Sequence, residues 1–137
     1  YVRMTTTLMA EFGVQVQEVG SDEFIVPHAR YQARDYAVEP DASAASYFFA
    51  AAAVTGSQVS VRGLGTRSLQ GDLGLVDVLE RMGCRVQRSA DETTLTGPPV
   101  GELRGVDANM GDLSDVAQSL AVVALFANGT TRVRGIG

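Results

Sequence analysis

Two aspartates, Asp112 and Asp115, stand three residues apart where an extended run, Val106-Asp107-Ala108-Asn109-Met110, turns towards a helical one. A carboxylate at the mouth of a strand–turn–helix junction can accept the proton of a substrate hydroxyl, and Asp115 is the candidate for that chemistry. The structural alternative is strong. Aspartate is a favoured helix cap and a first-turn acid offsets the helix dipole, so Asp112 reads as an N-cap, and residue type alone leaves Asp115 open between helix-start acid and base. Asp41, ahead of an alanine-rich run, is the matching acid elsewhere in the chain, and capping accounts for it. Arg67 and Ser68 follow Gly63-Leu64-Gly65 and could hold an anion, although two glycines without the rest of a phosphate fingerprint are a weak signal. His28 follows Pro27 and reads as a loop residue. Cys84 stands at a strand start and reads as core, where free cysteines usually lie.

Composition narrows the class. The 137 residues suffice for one ordinary domain. A net charge of −5 argues against a binder of nucleic acid backbones. All 11 basic residues are arginine, so any step that needs a lysine must find it outside this chain. One cysteine and one histidine support neither an internal disulfide nor a zinc site; no metal or cofactor is expected, and a reducing, cytoplasmic setting is. No apolar run has the length of a membrane span, and no secretory or transit signature is visible. The chain starts at Tyr1 and stops after Arg134-Gly135-Ile136-Gly137, straight after a strand-like run, so it reads as an internal piece of something larger.

The elements that must position these residues follow from periodicity. Met4, Leu8 and Phe12 share one face of a helix over residues 4–12, closed by Gly13. Residues 14–17 and 24–26 form a hairpin, and residues 33–39 another extended run. Asp41 then caps a helix over 42–54, whose small side chains suit close packing. Val59 and Val61 mark a strand. Asp72 is read as the cap of a helix with the stripe Leu75, Val78, Leu79 and Met82, ended by Gly83. Residues 84–87 and 93–96 form a second hairpin, 103–106 a strand, 113–127 a helix and 131–134 the last strand.

This order repeats. Phe12-Gly13-Val14-Gln15-Val16-Gln17 matches Met82-Gly83-Cys84-Arg85-Val86-Gln87, and Val61-Arg62-Gly63-Leu64-Gly65 matches Val133-Arg134-Gly135-Ile136-Gly137. The offsets, 70 and 72 residues, indicate a duplicated unit of about 70 residues. Repeats of this kind bury their apolar faces on neighbours, and about three are usually needed, so two copies again imply missing neighbours.

Three stretches resemble the 5-enolpyruvylshikimate-3-phosphate synthase family: Val38-Glu39-Pro40-Asp41-Ala42-Ser43-Ala44-Ala45-Ser46-Tyr47-Phe48; Ser68-Leu69-Gln70-Gly71-Asp72 with Asp77-Val78-Leu79-Glu80-Arg81-Met82-Gly83; and Asp112-Leu113-Ser114-Asp115-Val116-Ala117 with Ala124-Leu125-Phe126-Ala127-Asn128-Gly129-Thr130-Thr131. The resemblance covers nearly the whole chain. It implies an α+β fold of the inverse α/β-barrel type, built from repeated βαβαββ units and incomplete here. It places residues 1–39 in the first globular domain and 40–137 in the second.

The implied reaction moves the carboxyvinyl group of phosphoenolpyruvate onto the 5-hydroxyl of shikimate 3-phosphate, a step towards the aromatic amino acids. By the same resemblance Asp115 is the proton acceptor and contacts the shikimate hydroxyls, Tyr1 lies near the shikimate phosphate, and Asp41 borders the interdomain cleft. The partners implied are these two small molecules, with no nucleic acid and no membrane, and a monomeric full-length protein. The cations needed around two anionic substrates are largely absent, so this chain alone is expected to be inactive. Two alternatives stand beside it: the enolpyruvyl transferase that acts on UDP-N-acetylglucosamine, and a non-catalytic repeat domain that binds a partner.

Overall fold

In the computed structural model, which describes residues 1–137, the two glycines that mark the duplication sit in the same local structure. Helix α1 (Val2–Glu11) ends at Phe12, and helix α3 (Leu75–Arg81) ends at Met82. Gly13 and Gly83 follow with φ of 89° and 111°, a backbone region that costs glycine least. In each case the next amide reaches back over the turn: Val14 N–H donates to Met9 O at 2.9 Å, and Cys84 N–H to Leu79 O at 3.1 Å. This is the Schellman closure, which satisfies carbonyls a helix end leaves open. Val14 and Cys84 are both buried by it.

The chain divides into two units, Tyr1–Val38 and Glu39–Gly137. The first holds α1 and an antiparallel hairpin of β1 (Gln17–Val19) and β2 (Glu23–Ile25). Val14 is its one buried hydrophobic residue. The extended run expected at 33–39 forms no strand. Strands β1 and β2 pair only with each other, so the run has no ladder to join. It is held by scattered contacts instead. Gln32 N–H donates to Phe12 O at 2.8 Å, the Arg34 guanidinium meets Glu11, and the rings of Phe12 and Tyr36 lie 5.5 Å apart.

The second unit is built around α2 (Ala42–Thr55). Asp41 caps it as expected, its carboxylate accepting from Ser43 N–H at 2.8 Å, and Gly56 ends it in the left-handed conformation. There follow β3 (Gln58–Arg62), a 3-10 turn (Gly71–Gly74), α3, β4 (Arg85–Arg88) and β5 (Glu92–Thr96). Then come β6 (Asp107–Asn109), a second 3-10 turn (Ser114–Val116), α4 (Ala117–Ala124) and β7 (Arg132–Arg134). Strand β5 is central in an antiparallel sheet ordered β3-β5-β4, with Val59 and Val86 flanking Leu95. Strands β6 and β7 pair in parallel, with α4 in the crossover between them. From α2 to β5 the order is αβαββ, a βαβαββ unit short of its first strand, and β6-α4-β7 opens another.

One core runs through this unit. It gathers Phe49 from α2, Leu75, Val76, Val78 and Leu79 from α3, Leu95 from β5, and Leu120 and Val123 from α4. Each such side chain contributes roughly 1.5–3 kcal/mol by leaving water. The alanines of α2 serve proximity. A Cβ at Gly97, just past β5, would fall 2.2 Å from the carbonyl oxygen of Ala52, so strand end and helix backbone touch.

Several elements differ from their sequence expectations. The strand expected at 103–106 forms at Asp107–Asn109, with only Arg104 bridging to Asn128 before it. Gly105 lies against Thr130, where a Cβ would meet the carbonyl oxygen at 2.4 Å, and its N–H donates to Asn128 O at 2.7 Å. The helix expected over 113–127 contains α4 only from Ala117 to Ala124. Its last residues tighten into three-residue turns, with Phe126 N–H donating to Val123 O at 3.0 Å.

Candidate functional site

Asp115 lies in the 3-10 turn that joins β6 to α4, at the carboxyl end of the parallel pair β6–β7. Open sheets with parallel strands generally bind ligands at that end. The turn is held from both sides. Met110, fully buried, donates its N–H to Arg134 O at 2.8 Å, which ties the end of β6 to the end of β7. Leu113 N–H then donates to Met110 O at 2.9 Å, and Val116 N–H to Leu113 O at 3.1 Å. The Asn109 side chain accepts from Gly111 N–H at 3.0 Å. Gly135 has φ of 79°, and a Cβ there would lie 2.3 Å from the Asn109 side-chain oxygen. The residue is glycine because the turn presses against it. Val116, buried, anchors the far side, while Asp115 faces solvent and its backbone carbonyl accepts from the Gln118 side chain at 2.6 Å.

Asp112 does not cap this helix. The residue before the 3-10 turn is Leu113, with no side-chain capping bond, and α4 begins after Val116. The turn consumes the first helical residues, so Asp112 falls too early for its carboxylate to reach the helix amides. Asp72 departs from expectation in the same way. It sits inside the turn Gly71–Gly74, and its carboxylate accepts from the Ser43 hydroxyl on α2.

That bond shows how the elements around Asp41 and Asp115 meet. Ser43 gives its N–H to Asp41 and its hydroxyl to Asp72. The Gly71–Gly74 turn packs closely against the other one: a Cβ at Gly71 would lie 3.2 Å from Asp112 O, and one at Gly74 3.2 Å from the Leu113 side chain. Near the starts of α2 and α4, the buried hydroxyls of Ser46 and Ser119 bond each other at 2.9 Å. Asp41 and Asp115 therefore each stand within about two turns of one buried interhelix contact. Tyr1 belongs to the first unit. It is exposed, and its carbonyl accepts from Thr5 N–H at 3.0 Å.

The remaining candidates are structural. Arg67 is ion-paired with Asp91, and the Ser68 hydroxyl accepts from Gln70 N–H at 3.2 Å. His28 lies exposed in a loop. Cys84 is buried, and loss of solvation pushes its thiol up to about 11, so it stays protonated at neutral pH. Near β6 and β7 the arginines converge on one acid. Arg134 and Arg132 pair with the Asp107 carboxylate, and Arg81 donates to its carbonyl at 3.1 Å.

A residue given no chemical role by sequence reasoning is Gln70. Its carboxamide bonds the backbone on either side of Asp41, donating to Pro40 O at 2.7 Å and accepting from Ala42 N–H at 2.8 Å. The only sequence signal was its place in the Gln70-Gly71-Asp72 turn.

The profile of the family described as EPSP synthase (3-phosphoshikimate 1-carboxyvinyltransferase) matches residues 1–137. The chain belongs to the EPSP synthase family. It is 50% identical over 137 residues to the 3-phosphoshikimate 1-carboxyvinyltransferase of Nostoc punctiforme, covering 99% of this chain and 32% of that protein. It is 49% identical over 144 residues to the chloroplastic 3-phosphoshikimate 1-carboxyvinyltransferase of Arabidopsis thaliana, covering 99% of this chain and 28% of that one. The chain thus spans about a third of the length of the curated relatives it matches. Among solved structures, an EPSP synthase from Acinetobacter baumannii superposes with a TM-score of 0.73 at 20% identity, over 92% of this chain and 30% of that one. The enolpyruvyl transferase NikO from Streptomyces tendae gives 0.68 at 24%, over 97% and 32%. At these identities the likeness speaks to the fold, which is the α+β enolpyruvyl transferase fold expected from the three motifs.

Proposed function

We propose that this chain serves the transfer of the carboxyvinyl group of phosphoenolpyruvate to the 5-hydroxyl of shikimate 3-phosphate, with Asp115 as proton acceptor. One observation carries the reading. In a chain about half identical to phosphoshikimate carboxyvinyltransferases along nearly its whole length, Asp115 is exposed on a braced turn at the carboxyl end of two parallel strands. The hydroxyl oxygen becomes nucleophilic as its proton leaves, and a carboxylate within reach takes that proton while the new C–O bond forms and the double bond opens, its methylene carbon taking a proton from an acid to become a methyl group. Phosphate then departs from the tetrahedral adduct as that methyl group gives up a proton, which restores the vinyl double bond. Such general base assistance contributes typically about 10²–10⁴-fold. Asp41 is a second substrate contact, and the Tyr1 phenol donates to a phosphate oxygen.

The acids here need cations to hold two anionic substrates, and Arg67, Arg132 and Arg134 are engaged by carboxylates of this chain. The missing positive charge comes from segments that the longer relatives have in addition. In this reading residues 1–39 belong to the first domain and 40–137 to the second, which the division at Val38–Glu39 supports. In this reading the working protein is a cytoplasmic monomer; separately, no helix of this chain is long and apolar enough to cross a membrane. The UDP-N-acetylglucosamine enzyme and the non-catalytic repeat domain are both disfavoured, because the matched family and the quoted relatives carry the phosphoshikimate name.

The test is phosphate release from phosphoenolpyruvate and shikimate 3-phosphate, using the product of the complete reading frame that contains this chain. Asp115→Asn is expected to lower kcat by about 10²-fold or more while leaving thermal stability near the parent. A parent enzyme that releases no phosphate, or an Asp115→Asn variant at parental rate, would overturn the proposal.

A further inference from the structure

Gln70 makes two bonds with one carboxamide, and their geometry has a meaning. It meets the carbonyl of residue 40 and the amide of residue 42, the two groups that flank Asp41 on one side of the backbone. A residue of a parallel β-strand bonds its neighbour in this same pattern, through the groups before and after the residue opposite. The side chain therefore acts as a one-residue strand beside Asp41, at a place where no backbone strand pairs. Asp41 holds the extended conformation this requires, φ −74° and ψ 115°.

Two further contacts close the same segment. A Cβ at Gly63 would lie 2.7 Å from the Pro40 ring, so Gly63 seats that proline directly. Ser43 is fixed by Asp41 and Asp72 together. The grip is local to the second unit, one residue after the boundary at Val38–Glu39. A cap alone does not require it. The helix-capping bond to Ser43 N–H is made by Asp41 itself, whereas Gln70 holds the backbone on either side of Asp41. Gln70 is half-buried and its own N–H is held by Ser68, so the carboxamide is presented rather than mobile.

We propose that Gln70 is a positioning residue that orients the Asp41 carboxylate towards substrate, an inference that rests on the carboxyvinyl-transfer reading above and on Asp41 as a substrate contact. Removing the two bonds frees the backbone at Asp41 without removing its charge.

The experiment is a double-mutant cycle in the complete enzyme, read as kcat/KM for shikimate 3-phosphate. Gln70→Met keeps length and volume but makes neither bond, and is expected to lower kcat/KM about tenfold. In an Asp41→Asn background the same change is expected to cost less than about twofold, because the group it orients is already impaired. Gln70→Glu keeps the acceptor for Ala42 N–H and loses the donor to Pro40 O. It is expected to fall between parent and Gln70→Met, and it decides the matter should Gln70→Met fail to fold. Additive losses in the cycle overturn the proposal, as does a Gln70→Met or Gln70→Glu enzyme at parental kcat/KM beside a defective Asp41→Asn. An Asp41→Asn enzyme at parental kcat/KM removes the role of Asp41 instead, and an inactive parent removes the reaction.

Discussion

Helices α1 and α3 open the two copies of one repeat and end in the same glycine closure, yet they are packed very differently. The ten residues of α1 include none that is buried; the seven of α3 include Leu75, Val76, Val78 and Leu79. The hairpins that follow differ likewise: β1 and β2 are exposed throughout, whereas β5 buries Thr93 and Leu95. The difference is one of neighbours. After α3 the hairpin receives β3 as a third strand and α2 across its face, and both come from the preceding copy in the sequence. The packed unit is therefore α2-β3-α3-β4-β5, out of phase with the repeat as its motifs present it. Local signals specify each element, and a core forms only where elements of two copies meet.

The largest test of this contrast is truncation at matched positions. Met82→Ala is expected to destabilise the second unit by about 2–5 kcal/mol, whereas Phe12→Ala, at a half-buried site, should cost the first unit no more than about 1.5 kcal/mol. Hydrogen exchange resolved by segment checks both, with slow exchange expected in α2, α3 and β5 and fast exchange in β1 and β2. Equal protection of the two hairpins would break the comparison.

Glycines provide a second, smaller contrast. Gly97→Ala drives a methyl to 2.2 Å from Ala52 O and 2.9 Å from Ala53 O, and should cost about 2–4 kcal/mol, read from urea midpoints. Gly20→Ala meets no atom within 4 Å, so only its positive φ of 71° opposes it, at about 1 kcal/mol. A Gly20 variant as damaged as the Gly97 one would mean that the first hairpin is packed after all.

The smallest effect is a gain. The Thr93 hydroxyl is buried with no hydrogen-bond partner. Thr93→Val keeps the shape and discards the orphaned polar group, and should raise stability by about 1 kcal/mol in thermal denaturation. The same exchange at Thr94, whose hydroxyl bonds Ser60 at 2.6 Å, should bring no gain. A loss at Thr93 would reveal a bonding role for its hydroxyl.

Periodicity alone located α2, α3, the second hairpin and the closing glycines, because helix stripes, strand alternation and left-handed caps are properties of a few adjacent residues. Asp41 as a cap was legible for the same reason. The first hairpin was expected with its first strand at 14–17, whereas β1 forms at Gln17–Val19, beyond the glycine closure that buries Val14. Asp115 could be singled out as an acid at a strand–turn–helix junction, and three spaced motifs indicated the family. Partner choice across long separations could not be read in this way. The run at 33–39 has strand character but no strand to pair with, and Asp112 and Asp72 have cap character in turns that packing displaced from the helix starts. Whether β3 joins β5, whether Gly105 lies against Thr130, and whether a glutamine side chain substitutes for a strand beside Asp41 depend on which surfaces meet. Residue types and short-range spacing determined the elements and the candidate acid, since those energies are local. Tertiary structure decided the core, the displaced caps and the bracing of the site, since burial and backbone pairing depend on residues far apart in the chain.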